Sequence, residues 1–217
     1  MKKVLGFVGA AAIATGASAQ VSNLDVTQVT DGSSVANIFA IDFAGLYQGT
    51  QLVVELTSGS IINETAFGQP LDAAPPEGQA NFIPELLFDT YAAQGGRFAE
   101  GNIGGAPNLG GAAVNILPDD TEIRWDDPTR LSRAWNPAGG ADVMDQTGFV
   151  VAQLGLSSDA NGSLIFFASA ADSFYETGEG GVLAYEIVDG VAQEVPEPAT
   201  AALLGLGALA MLRRRGA

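Results

Sequence analysis

The stretch LDVTQVTDGSSVANIFAI, residues 24–41, places an Asp-Gly pair between two segments rich in apolar and β-branched residues. Before the pair, alternation assigns the side chains to the two faces of a strand. These faces carry Leu24, Val26 and Gln28 on one side and Asp25, Thr27 and Val29 on the other. Asp31-Gly32 tolerates the positive φ that a tight hairpin turn requires. The stretch therefore predicts two antiparallel strands joined by a hairpin.

Two more pairs of this kind occur along the chain. Asn161-Gly162 separates residues 149–156 from 164–168, and Asp189-Gly190 separates residues 182–188 from 191–192. Each pair predicts a further hairpin, because strand-like runs flank it on both sides. In the strand before the first of these pairs, Val150, Ala152, Leu154 and Leu156 are expected to face one way.

Further apolar runs bring the expected strand count to eight or nine: Leu52–Leu56, Phe82–Phe88 and Ile123–Trp125. The best helical signal inside the domain is a short turn at Pro84–Leu87. Many short strands with glycine turns favour a sandwich or barrel over an α/β layer. We predict an all-β domain over residues 20–192, a β-sandwich with jelly-roll-like topology.

Composition excludes several classes of function. The 217 residues contain no His and no Cys, so a Ser-His-Asp triad, a Cys nucleophile, a thiolate or imidazole metal site and a disulfide are all absent. Residues 20–195 hold four Arg, no Lys and twenty-four acidic residues, a net charge of −20. Such a surface repels nucleic acid and anionic lipid headgroups. We expect no nucleic-acid partner.

The beginning of the chain resembles a secretory signal peptide. Lys2 and Lys3 precede an apolar stretch of Val4–Thr15, and Ala17-Ser18-Ala19 supplies the small residues that a signal peptidase accepts. The apolar stretch is well short of the ~20 residues that a spanning helix needs. We predict a signal peptide over residues 1–19, with cleavage after Ala19.

The other end has three parts, which we assign to a tail over residues 193–217. Val195-Pro196-Glu197-Pro198 comes first, an apolar run of residues 199–212 follows, and Arg213, Arg214 and Arg215 close the tail. The apolar run is about 21 Å long as a helix, shorter than a ~30 Å hydrocarbon core. The arginines favour the cytoplasmic side of a membrane, which would leave the domain outside.

This order of elements resembles the PEP-CTERM sorting signal of exported bacterial proteins. The resemblance implies processing by an exosortase, a membrane peptidase, in organisms that make exopolysaccharide. It implies an exported protein at the cell surface or outside the cell, with a transient or retained inner-membrane anchor at the C-terminus. Both prolines lack an N–H and favour extended backbone, so strand pairing stops and the motif is accessible.

A second resemblance concerns the middle domain. Its short motifs look like those of exported PEP-CTERM proteins from planctomycete-like bacteria, whose middle domain is similar to cohesin or carbohydrate-binding sandwiches. The motifs are Leu56–Ser60, Leu87–Tyr91, Trp135–Pro137, Thr147–Leu154 and Leu156-Ser157. None of them is a catalytic or ligand signature, so the resemblance implies the fold class alone.

A structural calcium ion is one candidate ligand, since hard carboxylate oxygens suit this cation. The candidate ligands are Asp119, Asp120, Asp126 and Asp127. However, residues 121–125 have the pattern of a strand, which would hold Asp120 and Asp126 about 20 Å apart. We expect no other cofactor.

A sugar platform is a second candidate, because Trp125 and Trp135 flank a polar segment containing Arg130. The alternative is that these indoles pack in the core, where tryptophans are usually largely buried.

Three functions follow, in order of preference. The first is a non-catalytic surface or extracellular-matrix protein associated with the cell envelope or exopolysaccharide. The second is a carbohydrate-binding module. The third is a secreted hydrolase with a carboxylate pair, although twenty-four acidic residues make some such pair inevitable and single out no catalytic residue.

Overall fold

The computed structural model describes residues 21–63, 74–109, 127–137, 142–171 and 179–195, and these form nine strands and one α-helix. The strands are β1 Val21–Thr30, β2 Ser34–Ser58, β3 Tyr91–Gly95, β4 Asn108–Leu109, β5 Arg130–Asn136, β6 Met144–Ser157, β7 Asn161–Ala171, β8 Glu179–Val188 and β9 Val191–Glu194. Helix α1 spans Glu77–Phe82, and 3-10 turns lie at Pro84–Phe88 and Ala99–Gly101. The predicted all-β class is confirmed.

Strand β2 organises the whole sheet. Its first half pairs with β1 and β6, and its second half pairs with β7 and β5, all antiparallel. The register shifts between Phe43 and Leu46, where Gly45 has a φ of 79°. There the strand bends, so that its two halves lie in two faces of one continuous curled sheet, as strands do where they turn a corner between packed layers.

The bend brings the two ends of β2 together. Ser34 pairs with Ser157 at the end of β6, and Ser58 pairs with Asn161 at the start of β7. Across the fold, the rings of Phe39 and Phe166 stack with centroids 5.6 Å apart. The core therefore lies between the two halves of the same strand, and the predicted sandwich takes the form of a single folded-over sheet.

The hairpin at Asp31-Gly32 is confirmed. Thr30 pairs with Val35, and Gly32 adopts a φ of 94°. The Asp31 carboxylate accepts hydrogen bonds from the backbone N–H groups of Ser33 and Ser34, each at 2.8 Å. These bonds lower the pKa of Asp31, the bond from Ser33 contributing most. The predicted faces of β1 also hold for Leu24 and Val26, which pack against the core while Asp25 is exposed.

The hairpin predicted at Asn161-Gly162 is wrong. Strands β6 and β7 flank opposite edges of β2 and do not pair with each other. Asn161 and Gly162 are already part of β7, and a Cβ on Gly162 would lie 2.2 Å from the Glu55 carbonyl oxygen. This glycine is needed for the close approach of β2, not for a turn.

Two further sequence predictions need correction. Val150, Ala152, Leu154 and Leu156 do not share one face, because a register shift between β6 and β2 interrupts the alternation. Val150 packs with Tyr91 and Ala93, while the other three lie in the main core. The run Phe82–Phe88 is not a strand, although the turn predicted near Pro84 is present. The predicted run Ile123–Trp125 lies outside the described residues.

Candidate sorting site at the end of the last strand

The last hairpin has the geometry that its sequence predicts. Asp189 and Gly190 have φ angles of 51° and 78°, and Val188 pairs directly with Val191. Positive φ at both central residues is the signature of the two-residue turn that matches the twist of paired strands. The prediction of a hairpin at Asp189-Gly190 is therefore confirmed, and it places β9 beside β8. The strand continues to Glu194, past the predicted domain boundary at residue 192.

The outer edge of β9 is covered by two side-chain amides from strands β1 and β2. The carboxamide of Asn37, fully buried in β2, accepts a hydrogen bond from the Ala192 N–H at 2.9 Å. The same side chain donates to the carbonyl of Gly190 at 2.9 Å. Gln28, on β1, donates to the carbonyl of Ala192 at 3.4 Å. We refer to Asn37 and Gln28 as the amide pair.

The amide pair forms hydrogen bonds with the backbone groups of Ala192, which do not bond to β8. In an antiparallel ladder, residues alternate between positions that bond to the neighbouring strand and positions whose N–H and C=O point away from it. Val191 lies opposite Val188 beside the tight turn, so Ala192 is the next position and points outward. Its two backbone groups bond to the amide pair instead, as buried backbone polar groups must find partners.

Beyond Ala192 the chain becomes exposed. Gln193 and Glu194 lie at the surface, and Val195 is 45% exposed. The Val195 N–H still donates to the carbonyl of Ala184 at 3.2 Å. The following residue, Pro196, has no N–H and cannot extend a ladder in the same way. The described sheet therefore ends at the first residue of the predicted Val-Pro-Glu-Pro motif.

The surroundings of this strand end are negatively charged. Burial first, and then the carboxylates of Glu194 and Asp25, raise the pKa of the Tyr185 hydroxyl to about 12. Tyr185 lies opposite Glu194 in the ladder, and Asp25 belongs to β1. The tyrosine is therefore neutral at physiological pH. Two carboxylates from different strands lie close enough to act on one hydroxyl where the chain leaves the sheet.

The residues predicted to carry sorting and cleavage lie outside the described residues. These are Ala17 and Ala19 at the signal peptide, and Pro196, Glu197, Pro198, Arg213, Arg214 and Arg215 in the tail. Within the described ranges, no helix combines the length and the apolar composition needed to cross a membrane.

Comparison with protein families identifies the tail. Residues 194–215 match the PEP-CTERM protein-sorting motif, so the match begins at the last residue of β9. The chain therefore carries the sorting motif of an exported protein, as its sequence predicted. The motif implies processing by an exosortase and a membrane-anchored C-terminus before that processing.

The folded domain has no counterpart in the other two comparisons. No curated protein matches the chain. No solved structure matches it either. The likeness of the middle domain to cohesin or carbohydrate-binding sandwiches, and to planctomycete proteins, stays a prediction.

Trp135 does not have the environment that a sugar platform needs. It lies on β5, is 1% exposed and belongs to the main core. A buried indole offers no ring face to a sugar, so for Trp135 the core-packing alternative describes the observed arrangement. Trp125 lies outside the described residues.

Asp127 holds the start of β5. One carboxylate oxygen accepts hydrogen bonds from the backbone N–H groups of Thr129 at 2.8 Å and Arg130 at 2.9 Å. These bonds, chiefly the one from Thr129, lower the pKa of Asp127. Arg130 itself pairs with Glu55 of β2 at 3.1 Å. The other calcium candidates, Asp119, Asp120 and Asp126, lie outside the described residues.

The described ranges contain no group of three or more acidic side chains arranged to hold a metal ion. They do contain a partly buried polar cluster beside β6. Arg97 donates to the Gln153 side chain at 2.8 Å and to the Leu87 carbonyl at 2.7 Å. Gln153 in turn donates to the carbonyl of Asp89 at 2.8 Å. These bonds attach the 3-10 turn at Pro84–Phe88 and the residue that follows it to β6.

Sequence analysis missed the amide pair. Each amide nevertheless left a signal in the pattern. Gln28 falls on the same predicted face as Leu24 and Val26, and Asn37 interrupts the apolar run Val35–Ile41. A polar residue at a core position must find hydrogen-bond partners. The sequence could therefore have singled out both residues, but not the strand that they contact.

Proposed function

We propose that the chain is an exosortase-sorted protein of the cell surface or extracellular matrix, and that its folded domain has no catalytic role. The observation that carries this proposal is the position of the sorting motif. The match starts at residue 194, the last residue of β9, so the nine described strands come before almost all of the matched segment in the chain. The folded domain is then the part of the protein that is exported, and the tail is its sorting signal.

The charge of the domain supports a place outside the cell. Residues 20–195 carry a net charge of −20 and no lysine. This charge keeps a protein soluble and disfavours contact with anionic headgroups and nucleic acid. It suits association with the cell envelope or with a hydrated exopolysaccharide.

Four of the described carboxylates hold turns or the bend of β2. Asp31 and Asp127 hold turns, and their pKa values are lowered. Asp42 accepts from the Gly148 N–H at 2.8 Å, and Asp145 accepts from the Gly45 N–H at 2.7 Å, which secures the bend of β2. A glycosidase acid needs a carboxyl with a raised pKa. The lowered values at Asp31 and Asp127 favour a structural role over acid catalysis.

The first test is the intact mass of the full chain recovered separately from membrane, cell surface and medium. We expect a chain that begins at Gln20, ends near Pro198 and lies at the surface or in the medium. Glu197→Gln should block this processing. Its matched control, Glu186→Gln, changes an exposed carboxylate on β8 and should be processed like the wild type. A wild-type chain that keeps Arg213–Arg215 in the membrane would contradict the proposal.

The second test asks whether the protein hydrolyses or binds glycans. The purified chain should turn over no member of a broad glycan panel. Turnover that disappears on substitution of a single Asp or Glu would make the protein a hydrolase. Retention on a polysaccharide that is lost in Trp125→Ala, with unchanged melting, would make it a carbohydrate-binding module instead.

A further inference from the structure

The amide pair binds β9 immediately upstream of the sorting motif. Its bonds reach Gly190 in the last turn and Ala192 on β9, and the motif match begins at residue 194. We infer that Asn37 and Gln28 set the upstream limit of the chain segment that a processing peptidase can bind. This inference rests on the proposed function, since it concerns the same tail.

A processing peptidase needs open main-chain groups on the segment that it binds. An extended segment is commonly bound by main-chain hydrogen bonds along an open strand edge. On β9, the outward N–H and C=O of Ala192 are already bonded to the amide pair. A second strand cannot pair with these groups unless the amides leave, so the edge is closed at this position.

The edge opens two residues later. Because outward positions alternate along a strand, Glu194 is the next residue whose backbone groups point away from β8. Glu194 is exposed and Val195 is 45% exposed. The first outward position beyond the amide pair is therefore also the first residue of the sorting motif.

Asn37 contributes most to this limit. It is fully buried and makes three hydrogen bonds, to Leu154 on β6, to Gly190 in the turn before β9 and to Ala192 on β9. Gln28 is exposed and makes one bond at 3.4 Å. Asn37 is thus a positioning residue. It keeps β9 in the sheet and never has to touch the enzyme.

Asn37→Asp is the sharpest variant. Aspartate has the shape of asparagine and can still accept from Ala192, but it cannot donate to the carbonyls of Gly190 and Leu154. A buried carboxylate facing two carbonyl oxygens is strongly unfavourable. The matched control is Gln193→Glu, the same amide-to-acid change on an exposed side chain of β9 itself. A second control, Leu131→Ala, lowers stability through the core at β5.

The test digests the purified full-length chain briefly with proteinase K and maps the first cut by mass. In the wild type and in Gln193→Glu, the first cut downstream of β8 should fall at or after Glu194. In Asn37→Asp it should move to residues 189–193, and amide hydrogen exchange of residues 190–195 should accelerate at least tenfold. Leu131→Ala should not move the cut. If Asn37→Asp does not fold, Gln28→Ala should show the same shift more weakly.

An Asn37→Asp chain that exchanges faster but is cut at the wild-type position would overturn the inference. So would a cut that moves equally in Leu131→Ala, because the effect would then follow global stability. Processing in the native host separates this result from the proposed function. If the wild-type tail is not processed there, the proposed function fails, while the digestion still decides whether the amide pair limits access.

Discussion

Two Asx-Gly pairs with the same local sequence signal have opposite roles in this molecule. At Asp189-Gly190 both residues adopt positive φ and the chain reverses between β8 and β9. At Asn161-Gly162 the chain runs straight on as the start of β7. Both pairs are flanked by apolar runs, so the local pattern predicts the same structure for both.

The difference lies in what surrounds each glycine. Gly190 serves the turn, because its φ of 78° is one that other residues adopt only with strain. Gly162 serves the packing of a neighbouring strand, because a Cβ there would meet backbone atoms of Glu55 and Leu56 at 2.2 and 2.8 Å. One requirement is local and the other depends on strand β2, more than a hundred residues earlier in the chain.

The largest effect is expected for Gly162→Ala. The methyl group would overlap the Glu55 carbonyl, and the backbone of a central strand cannot move aside without losing its pairing. We expect the free energy of unfolding to fall by about 3 kcal/mol or more. Urea unfolding monitored by circular dichroism measures this change.

The control for Gly162→Ala is Gly78→Ala. Gly78 lies in α1, where an added Cβ meets no atom within 4 Å. This variant should be neutral or slightly stabilising, by roughly 0.5–1 kcal/mol. If Gly162→Ala unfolds at the wild-type urea concentration, strand β7 does not approach β2 as described.

Gly190→Ala is expected to have an intermediate effect. Its Cβ would lie 2.8 Å from the Ser157 carbonyl oxygen, and the positive φ adds strain. We expect a loss of about 2 kcal/mol. Because the turn belongs to the last hairpin, hydrogen exchange should accelerate more in residues 185–195 than in β2. A uniform acceleration across the sheet would contradict a local role for this turn.

Gly32→Ala separates the conformational term from the steric one. Gly32 has a φ of 94°, but an added Cβ would meet no atom within 4 Å. Only backbone strain remains, so we expect a loss of about 1 kcal/mol in the same urea titration. A loss as large as that of Gly162→Ala would mean that backbone strain at positive φ costs as much as the approach of a neighbouring strand does at Gly162.

These glycines show what the sequence could predict. The hairpins at Asp31-Gly32 and Asp189-Gly190 follow from local chemistry. Both pairs accept positive φ, and the segments on either side of each pair are apolar or alternate between apolar and polar residues. The sorting tail was equally predictable, because a peptidase recognises such a motif as a linear segment. The all-β class follows from the same short-range patterns.

The remaining features depend on contacts between distant residues. The sequence pattern predicts two separate runs at residues 35–41 and 52–56, whereas they belong to one strand that bends at Gly45. Trp135 is buried and lies opposite Thr50 on β2, and no local pattern indicates this pairing. No local pattern indicates that the Asn37 side chain bonds to β9 either. Local signals predict turns, while the packing of the folded-over sheet decides which strands meet.

The smallest effect concerns the turn residue beside Gly32. Hydrogen bonds from Ser33 and Ser34 hold the pKa of Asp31 below its value in the unfolded chain. A carboxyl with a lowered folded-state pKa stabilises the fold above its ordinary pKa near 4, and this contribution is lost as the pH falls through the lowered value.

An asparagine side chain at position 31 does not titrate. Asp31→Asn should therefore melt slightly below the wild type at pH 7, and the two melting temperatures should converge as the pH falls below about 4. Asp127→Asn should behave likewise, since hydrogen bonds led by that from Thr129 lower the pKa of Asp127 in the same way. Melting curves that stay parallel down to pH 2 would mean that these carboxylates are not held by the N–H groups of their turns.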